Sequence, residues 1–288
     1  MAVIERVLVT GATGKVGQEV VRGLLEAGFE VKAATRTPDV ARELFEDEVE
    51  VVELNYDWAS TYDGAVTWAD RVFLMPPPFS PDAYESIVPF LDWAVASKVR
   101  HIVLLSAMMA ERKDHLHLRK VELHLQDRGI EHTILRPNLY MQNFHPGFIS
   151  QQIREDGRIR LPAGEERVSL VDVRDVAAVA VKALTSKDHF GKAYTLTGEE
   201  SLTMGEAAAA VSKAAGRRIR YEPVSDEEFQ RILEAQGWRS EEVEVVLGLF
   251  GSIRRWWRAP IYPDLDRVLD RAPRFFSDFC EENASAWA

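Results

Sequence analysis

Three glycines spaced three apart stand in the run Thr10-Gly11-Ala12-Thr13-Gly14-Lys15-Val16-Gly17. Type and spacing together describe an anion cradle. The first glycine permits a tight turn, the second lets a pyrophosphate reach the backbone, and the third lets a helix lie close on a strand. Phosphate would then sit at the positive end of a helix. The plain alternative is a glycine-rich turn that holds nothing. About 20 residues beyond such a turn, NAD sites carry an Asp or Glu for the ribose hydroxyls. Here the chain reads Ala33-Ala34-Thr35-Arg36-Thr37, without an acid. Arg36 can fork onto a 2′-phosphate, with Thr35 and Thr37 as hydroxyl donors, so NADP(H) is expected over NAD(H). A solvated loop arginine is the other reading of Arg36.

One arrangement that protonates an alkoxide is a Tyr with a Lys four residues later, the Lys lowering the phenol's pKa. The residues four beyond the seven tyrosines are Ser60, Val66, Val88, Phe144, Gly198, Ser225 and Asp266, so the pair is absent. Nearby candidates are Ser106 and the following helix with His115, His117, Lys120 and Glu122. Lys120 and His117 are three apart and share a helix face, so both can reach one site. The expected catalytic group is therefore His117, Lys120 and Ser106. A solvated polar helix face, on which Glu122 merely pairs with neighbours, is the alternative. His115 and His117 are two apart and do not face each other on a helix, so no metal is expected. Met75-Pro76-Pro77-Pro78-Phe79 is a stiff apolar run at a strand's carboxyl end, where an open α/β sheet places its ligand. Asn138-Leu139-Tyr140-Met141-Gln142-Asn143-Phe144 follows a later strand and is expected on the nicotinamide and substrate side. Tyr140 and Phe144 read equally well as core packing. Trp256-Trp257 among Arg254, Arg255 and Arg258 is read as part of a lid or interface rather than a nucleobase platform.

The elements that must position these groups alternate regularly. Strands are predicted at Val3–Thr10, Phe29–Thr35, Val49–Leu54, Arg71–Met75, His101–Ser106 and His132–Arg136. Helices are predicted at Lys15–Ala27, Val40–Phe45, Ser60–Trp68, Asp82–Ser97 and Lys113–Asp127. Such alternation yields an α/β fold, a Rossmann-type doubly wound parallel sheet covered on both faces. After Pro137 the rhythm breaks. Val168–Asp175 and Val176–Leu184 read as a chain returning to the sheet, with a seventh strand at Ala193–Leu196. Helices then dominate, at Met204–Ala215, Asp226–Ala235, Ser240–Leu249 and Leu265–Asp270. The expected domains are a nucleotide-binding domain over 1–198, with 138–167 contributing to the substrate side, and a smaller, mostly helical substrate or lid subdomain over 199–288.

With 288 residues, 46% hydrophobic and 28% charged, the chain can bury a substantial core. A net charge of −11 disfavours nucleic acid as a partner. The lone Cys280 forms no internal disulfide, and neither a basic leader nor a membrane-length apolar run is visible. Expected are a cytoplasmic location, a small-molecule partner, no membrane partner, and a monomer or homodimer.

These residues together resemble the atypical short-chain dehydrogenase/reductases of the NmrA-like branch. The resemblance rests on residues 10–17, Thr35-Arg36, Leu104-Leu105-Ser106-Ala107, Gly129–Pro137 with Asn143, Val171–Ala177, Tyr194–Gly198 and the tail 273–279. It is similar to the festuclavine-dehydrogenase-like and triphenylmethane-reductase-like members. The resemblance implies cofactor contacts at Gly11, Thr13, Gly14, Lys15, Val16, Gly17, Thr35, Arg36, Met75, Pro76, Pro77, Ser106, Pro137 and Asn138. Substrate contacts are expected at Phe79, Tyr140 and Phe144. The function expected is an NADP(H)-dependent oxidoreductase passing hydride to an iminium, cationic dye, quinone or enone. Such acceptors suit a chain without the Tyr–Lys pair, because hydride on a cationic carbon gives a neutral product at once. The other expectation is a non-catalytic sensor of NADP(H).

Overall fold

A computed structural model describes residues 5–256, without the Trp256 side chain, and 259–288. Trp257 and Arg258 of the aromatic–basic cluster, and the first residues of the expected opening strand, lie outside it.

The chain forms two compact units, Met1–Pro78 with Asp82–Pro137 and Val173–Leu196, and Phe79–Pro81 with Asn138–Asp172 and Thr197–Ala288. Segment 138–172 thus groups with the C-terminal residues, whereas the expected boundary fell after 198. The break follows Pro137, where the last strand of the regular alternation ends.

In the first unit six strands alternate with five helices. The strands are β1 (Arg6–Thr10), β2 (Glu30–Thr35), β3 (Glu50–Glu53), β4 (Arg71–Leu74), β5 (His101–Leu105) and β6 (Glu131–Pro137). The helices are α1 (Lys15–Glu26), α2 (Pro38–Phe45), α3 (Tyr62–Val66), α4 (Ala83–Ala96) and α5 (His117–Asp127). Strand Lys192–Leu196 completes a seven-stranded sheet of order β3-β2-β1-β4-β5-β6 and then 192–196. Every neighbouring pair is parallel. The order reverses between β1 and β4, and ligands of open α/β sheets bind outside the carboxyl ends at such a reversal.

Both faces are covered, as the continuous apolar strands require. Val7, Leu8, Val9, Val72, Phe73, Leu74, Ile102, Val103 and Leu104 are wholly buried. One face packs under Ile87, Phe90 and Leu91 of α4 and Val121 and Leu125 of α5. Each such side chain contributes about 1.5–3 kcal/mol by leaving water. On the other side α1 packs on helix Val173–Thr185, where Gly23 faces Val181. Helix α1 buries Val16, Val20, Val21 and Leu24. It stops at Gly28, whose φ of +80° lets the N–H of Phe29 turn back to Leu24 O at 3.1 Å.

The predicted helices Ser60–Trp68 and Lys113–Asp127 are both shortened, the first to Tyr62–Val66. Helix α5 starts at His117 rather than Lys113, because Lys113 (φ −143°, ψ 95°) and Leu116 (φ −67°, ψ 137°) are extended. His115 is therefore outside the helix.

In the second unit residues 138–143 are stitched beside 169–172, with a parallel bridge between Tyr140 and Val171. Strand Arg158–Leu161 pairs in parallel with Arg220–Pro223, a pairing the sequence reading missed. Arg167–Val168 pairs with Leu202–Thr203 instead of joining the main sheet. Helix Met204–Ala215 begins in a capping box, with Thr203 accepting from the N–H of Glu206 and Glu206 accepting from that of Thr203. Phe144, Phe229, Phe250, Phe276 and Trp287 form its aromatic interior, each at most 2% exposed. No helix among the described residues is long and apolar enough to cross a membrane.

Candidate functional site

The three glycines prove to have three different physical roles. Gly11 has a φ of +62°, which L side chains rarely adopt, and a Cβ there would stand 2.1 Å from Met75 Cε. Gly14 is extended (φ −76°, ψ 161°) and meets only the Met75 methyl at 3.1 Å and Gly11 O at 3.2 Å. Gly17 lies against backbone, with Gly11 O at 2.3 Å from its would-be Cβ and Ala12 Cα at 2.9 Å. Gly14, the residue before α1, has no side chain with which to cap the helix, and a helix start favours an anion. The turn is held by Gly14 N–H on Gly11 O (2.9 Å) and by the Gln18 amide on Thr13 O (2.8 Å).

Strand β4 is tied beside this turn through Thr10, which is wholly buried. Thr10 Oγ1 donates to Phe73 O (3.1 Å) and accepts from the N–H of Met75 (2.8 Å). Tyr56 Oη donates to Met75 O at 3.0 Å, and burial pushes its phenol well above the ordinary value. Both peptide groups of Met75 are thereby fixed, with its thioether over the glycines. Neither Thr10 nor Tyr56 was anticipated, because nothing local in the sequence says that β4 lies next to β1. Pro76 is buried and Pro77 half-buried just beyond.

At the end of β2 three hydroxyls form a chain. Thr13 Oγ1 and Thr35 Oγ1 are 3.0 Å apart, Thr35 Oγ1 and Thr37 Oγ1 are 3.3 Å apart, and the N–H of Thr37 donates to Thr35 Oγ1 at 3.2 Å. Arg36 beside them is exposed, and its guanidinium makes no ion pair or hydrogen bond with the described protein. Lys15, in the first turn of α1, is half-buried, and that burial lowers its pKa to about 8.

Ser106 closes β5 at the same carboxyl edge and is 6% exposed. Its Oγ donates to Glu122 Oε1 at 2.6 Å. Glu122 is wholly buried, contrary to the reading of a solvated helix face. Its carboxylate accepts from Arg136 Nε (2.9 Å) and Nη2 (2.7 Å) and from Arg119 Nη1 (2.9 Å). Burial alone would raise its pKa, but the hydrogen bonds from Arg136, Ser106 and Arg119 hold it below the usual carboxylate value. The sequence carried a signal: Leu118, Val121, Glu122 and Leu125 fall on one helical stripe, which places a carboxylate on the inward face.

The structure does not join His117 and Lys120 to Ser106. His117 Nδ1 lies 3.3 Å from Glu85 Oε2 without a hydrogen bond, and Lys120 Nζ stands 6.0 Å from the Tyr84 ring centre. Both partners are in the first turn of α4. Helix starts α4 and α5 thus form a seam at the carboxyl edge. No group of three or more His, Cys, Asp or Glu able to hold a metal occurs among the described residues.

Pro137, the last residue of β6, is buried, and its carbonyl accepts from the N–H of Met108 at 3.0 Å. In the second unit the Asn138 amide is committed: Nδ2 donates to Ser169 O (2.7 Å) and Oγ (2.8 Å), and Oδ1 accepts from Leu139 N–H (2.8 Å). Phe144, expected to touch substrate, is 1% exposed against Phe276 and therefore serves packing. Tyr140 differs: it is half-buried, its hydroxyl makes no hydrogen bond with the described protein, and burial raises its pKa. Phe79 has a left-handed φ of +52° and its ring lies 5.2 Å from that of Trp238, tilted by 44°, while Trp238 meets Phe148 edge to face at 5.8 Å. Arg254 is held by Asp226 at 2.8 Å and by Pro162 O, and Arg255 by Gly251 O at 3.1 Å.

This turn–helix cradle at a sheet reversal is that of a Rossmann-type protein, and the chain belongs to the NmrA-like family, matched over residues 4–258. It is 32% identical over 285 residues to an NAD(P)H azoreductase of Xenophilus azovorans, covering 98% of this chain and 99% of that one. It is 35% identical over 291 residues to the (4-alkanoyl-5-oxo-2,5-dihydrofuran-3-yl)methyl phosphate reductase of Streptomyces griseus, covering 98% and 99%. The fold matches the crystal structure of the Citrobacter sp. triphenylmethane reductase complexed with NADP(H), with a TM-score of 0.82 at 24% identity, covering 97% and 99%.

Proposed function

We propose that the protein is an NADP(H)-dependent reductase of electrophilic, conjugated small molecules. One observation carries the cofactor choice: the unpartnered Arg36 guanidinium beside the Thr13–Thr35–Thr37 hydroxyls, at a strand end that offers no acid within residues 33–37. The cradle fits the group, since Gly14 leaves a gap that a side chain would fill at the positive end of α1. Gly11 and Gly14 with Thr13, Lys15 and Val16 would hold the pyrophosphate, with Gly17 keeping α1 close on the turn, Arg36 and Thr35 would hold the 2′-phosphate, and Met75, Pro76 and Pro77 would form the apolar wall. When bound, the cofactor supplies hydride. The chain's own groups orient it and exclude water, which is a contribution of placement. The cluster of Phe79, Trp238 and Phe148, whose rings meet tilted and edge to face, offers apolar aromatic surface suited to a conjugated ring system. Both curated relatives named above are reductases, one of azo compounds and one of an alkanoyl-dihydrofuranone, which supports turnover.

The deciding experiment incubates purified protein with NADPH and a panel of iminium, cationic dye, quinone and enone acceptors. Steady NADPH oxidation above background is expected. Tight binding with preference for one redox form, and no turnover across the panel, would establish a sensor instead.

Lys15 makes the binding pH-dependent. A phosphate beside it raises a pKa that stands at about 8 in the free protein. The ammonium's contribution is then complete below that value and is lost as pH rises through the higher bound-state pKa. A charge-assisted contact is worth about 1.5–3 kcal/mol, so NADPH affinity should fall about tenfold or more on the alkaline side. Lys15→Met should flatten the profile. An alkaline profile already flat in the unaltered protein would remove Lys15 from the phosphate site.

A further inference from the structure

The Ser106 hydroxyl has one proton, and its use is settled by what surrounds it. Glu122 Oε1 lies 2.6 Å away, and the same carboxylate receives three guanidinium N–H bonds from Arg136 and Arg119. An ionised carboxylate can only accept, so the bond runs from Ser106 to Glu122 and cannot reverse. Glu122 has no exposure to water that could loosen it, and no other described group donates to Ser106 Oγ. The lone pairs of Ser106 are what it can offer at the carboxyl edge of β5.

The strand order says which part of a ligand arrives there. With the pyrophosphate at the turn after β1 and the 2′-phosphate at the end of β2, the rest of the dinucleotide extends to the other side of the reversal, over β4 and β5. That part carries hydrogen-bond donors, the carboxamide NH2 and the ribose hydroxyls.

We propose that Glu122 is a positioning residue of the cofactor site, holding the Ser106 hydroxyl as a fixed acceptor for an N–H or O–H of the nicotinamide half. Ser106 then gives no proton to substrate, which revises its expected catalytic role. The proposal rests on the cofactor reading above, and its test separates the two.

The test is a double-variant cycle read by calorimetry with two probes, NADPH and 2′,5′-ADP, which lacks the nicotinamide half. Ser106→Ala and Glu122→Gln should each weaken NADPH about fivefold, the effect of a single hydrogen bond, and the double variant should lose no more than either. Affinity for 2′,5′-ADP should not change in any of them. Glu122→Asp keeps a negative charge to offset both arginines but, being one methylene shorter, draws the carboxylate back from Ser106. It should reproduce the selective loss if Glu122→Gln fails to fold, with Ser106→Ala again masking it. Losses that add in the double variant, unaltered NADPH affinity in Ser106→Ala, or equal losses for both probes overturn the role of Glu122 while leaving the cofactor reading intact. Failure of the unaltered protein to bind either probe overturns both.

Discussion

Gly14→Val is expected to leave the protein folded and to weaken NADPH binding by more than about a hundredfold. The backbone at Gly14 is extended (φ −76°, ψ 161°), a conformation that a β-branched residue adopts without strain. A Cβ there would meet the Met75 methyl at 3.1 Å and Gly11 O at 3.2 Å; a flexible thioether can move by the few tenths of an ångström required. The valine would nevertheless fill the space through which a pyrophosphate approaches the backbone. Losing two charge-assisted hydrogen bonds at about 1.5–3 kcal/mol each accounts for the expected loss. Gly17→Ala is the informative contrast. Its Cβ would stand 2.3 Å from Gly11 O and 2.9 Å from Ala12 Cα, backbone atoms that can shift only by opening the turn. That variant should lose both binding and thermal stability. Calorimetry paired with thermal unfolding distinguishes them, and unchanged NADPH affinity in Gly14→Val would sink the assignment of the turn.

Arg36→Ala should cost about 10–100-fold in NADPH affinity and leave NADH nearly untouched. The side chain is exposed and makes no ion pair or hydrogen bond with the described residues, so its removal breaks no such bond within the fold. What disappears is a forked donor for a 2′-phosphate, a charge-assisted interaction of about 1.5–3 kcal/mol. Competition binding of NADPH and NADH to both proteins measures the difference. Equal losses for the two nucleotides would mean that Arg36 does not read the phosphate.

The parts of the site visible in the sequence are those whose chemistry is local. The glycine motif occupies eight consecutive residues from the end of a strand to the first turn of a helix, and Arg36 directly follows the very next strand. Helices Met204–Ala215 and Asp226–Ala235 were placed to the residue, because the Thr203 and Ser225 caps sit immediately before their apolar periods. The position of Ser106 directly after an apolar strand is legible in the same way. Its partner was misjudged: Glu122 lies on the stripe of Val121 and Leu125, but charge alone suggested a solvated face. Its burial becomes tolerable only because Arg136 on β6 and Arg119 on its own helix satisfy the carboxylate. Phe144 and Tyr140 show the same limit. Both are aromatic residues after one strand, yet one closes into the core and the other keeps a free hydroxyl.

The sequence by itself determined the alternation of strands and helices, the cradle at their first junction and the absence of an acid after β2, because each follows from periodicity and residue type within a short stretch. Only the tertiary structure decided that β4 lies beside β1, so that Thr10 and Tyr56 fix Met75 over the glycines. It alone paired Glu122 with Ser106 and Arg136, and grouped 138–172 with the C-terminal residues. The reason is physical: such contacts join residues far apart in the chain, and their stability depends on which groups share a dry interior rather than on any local preference.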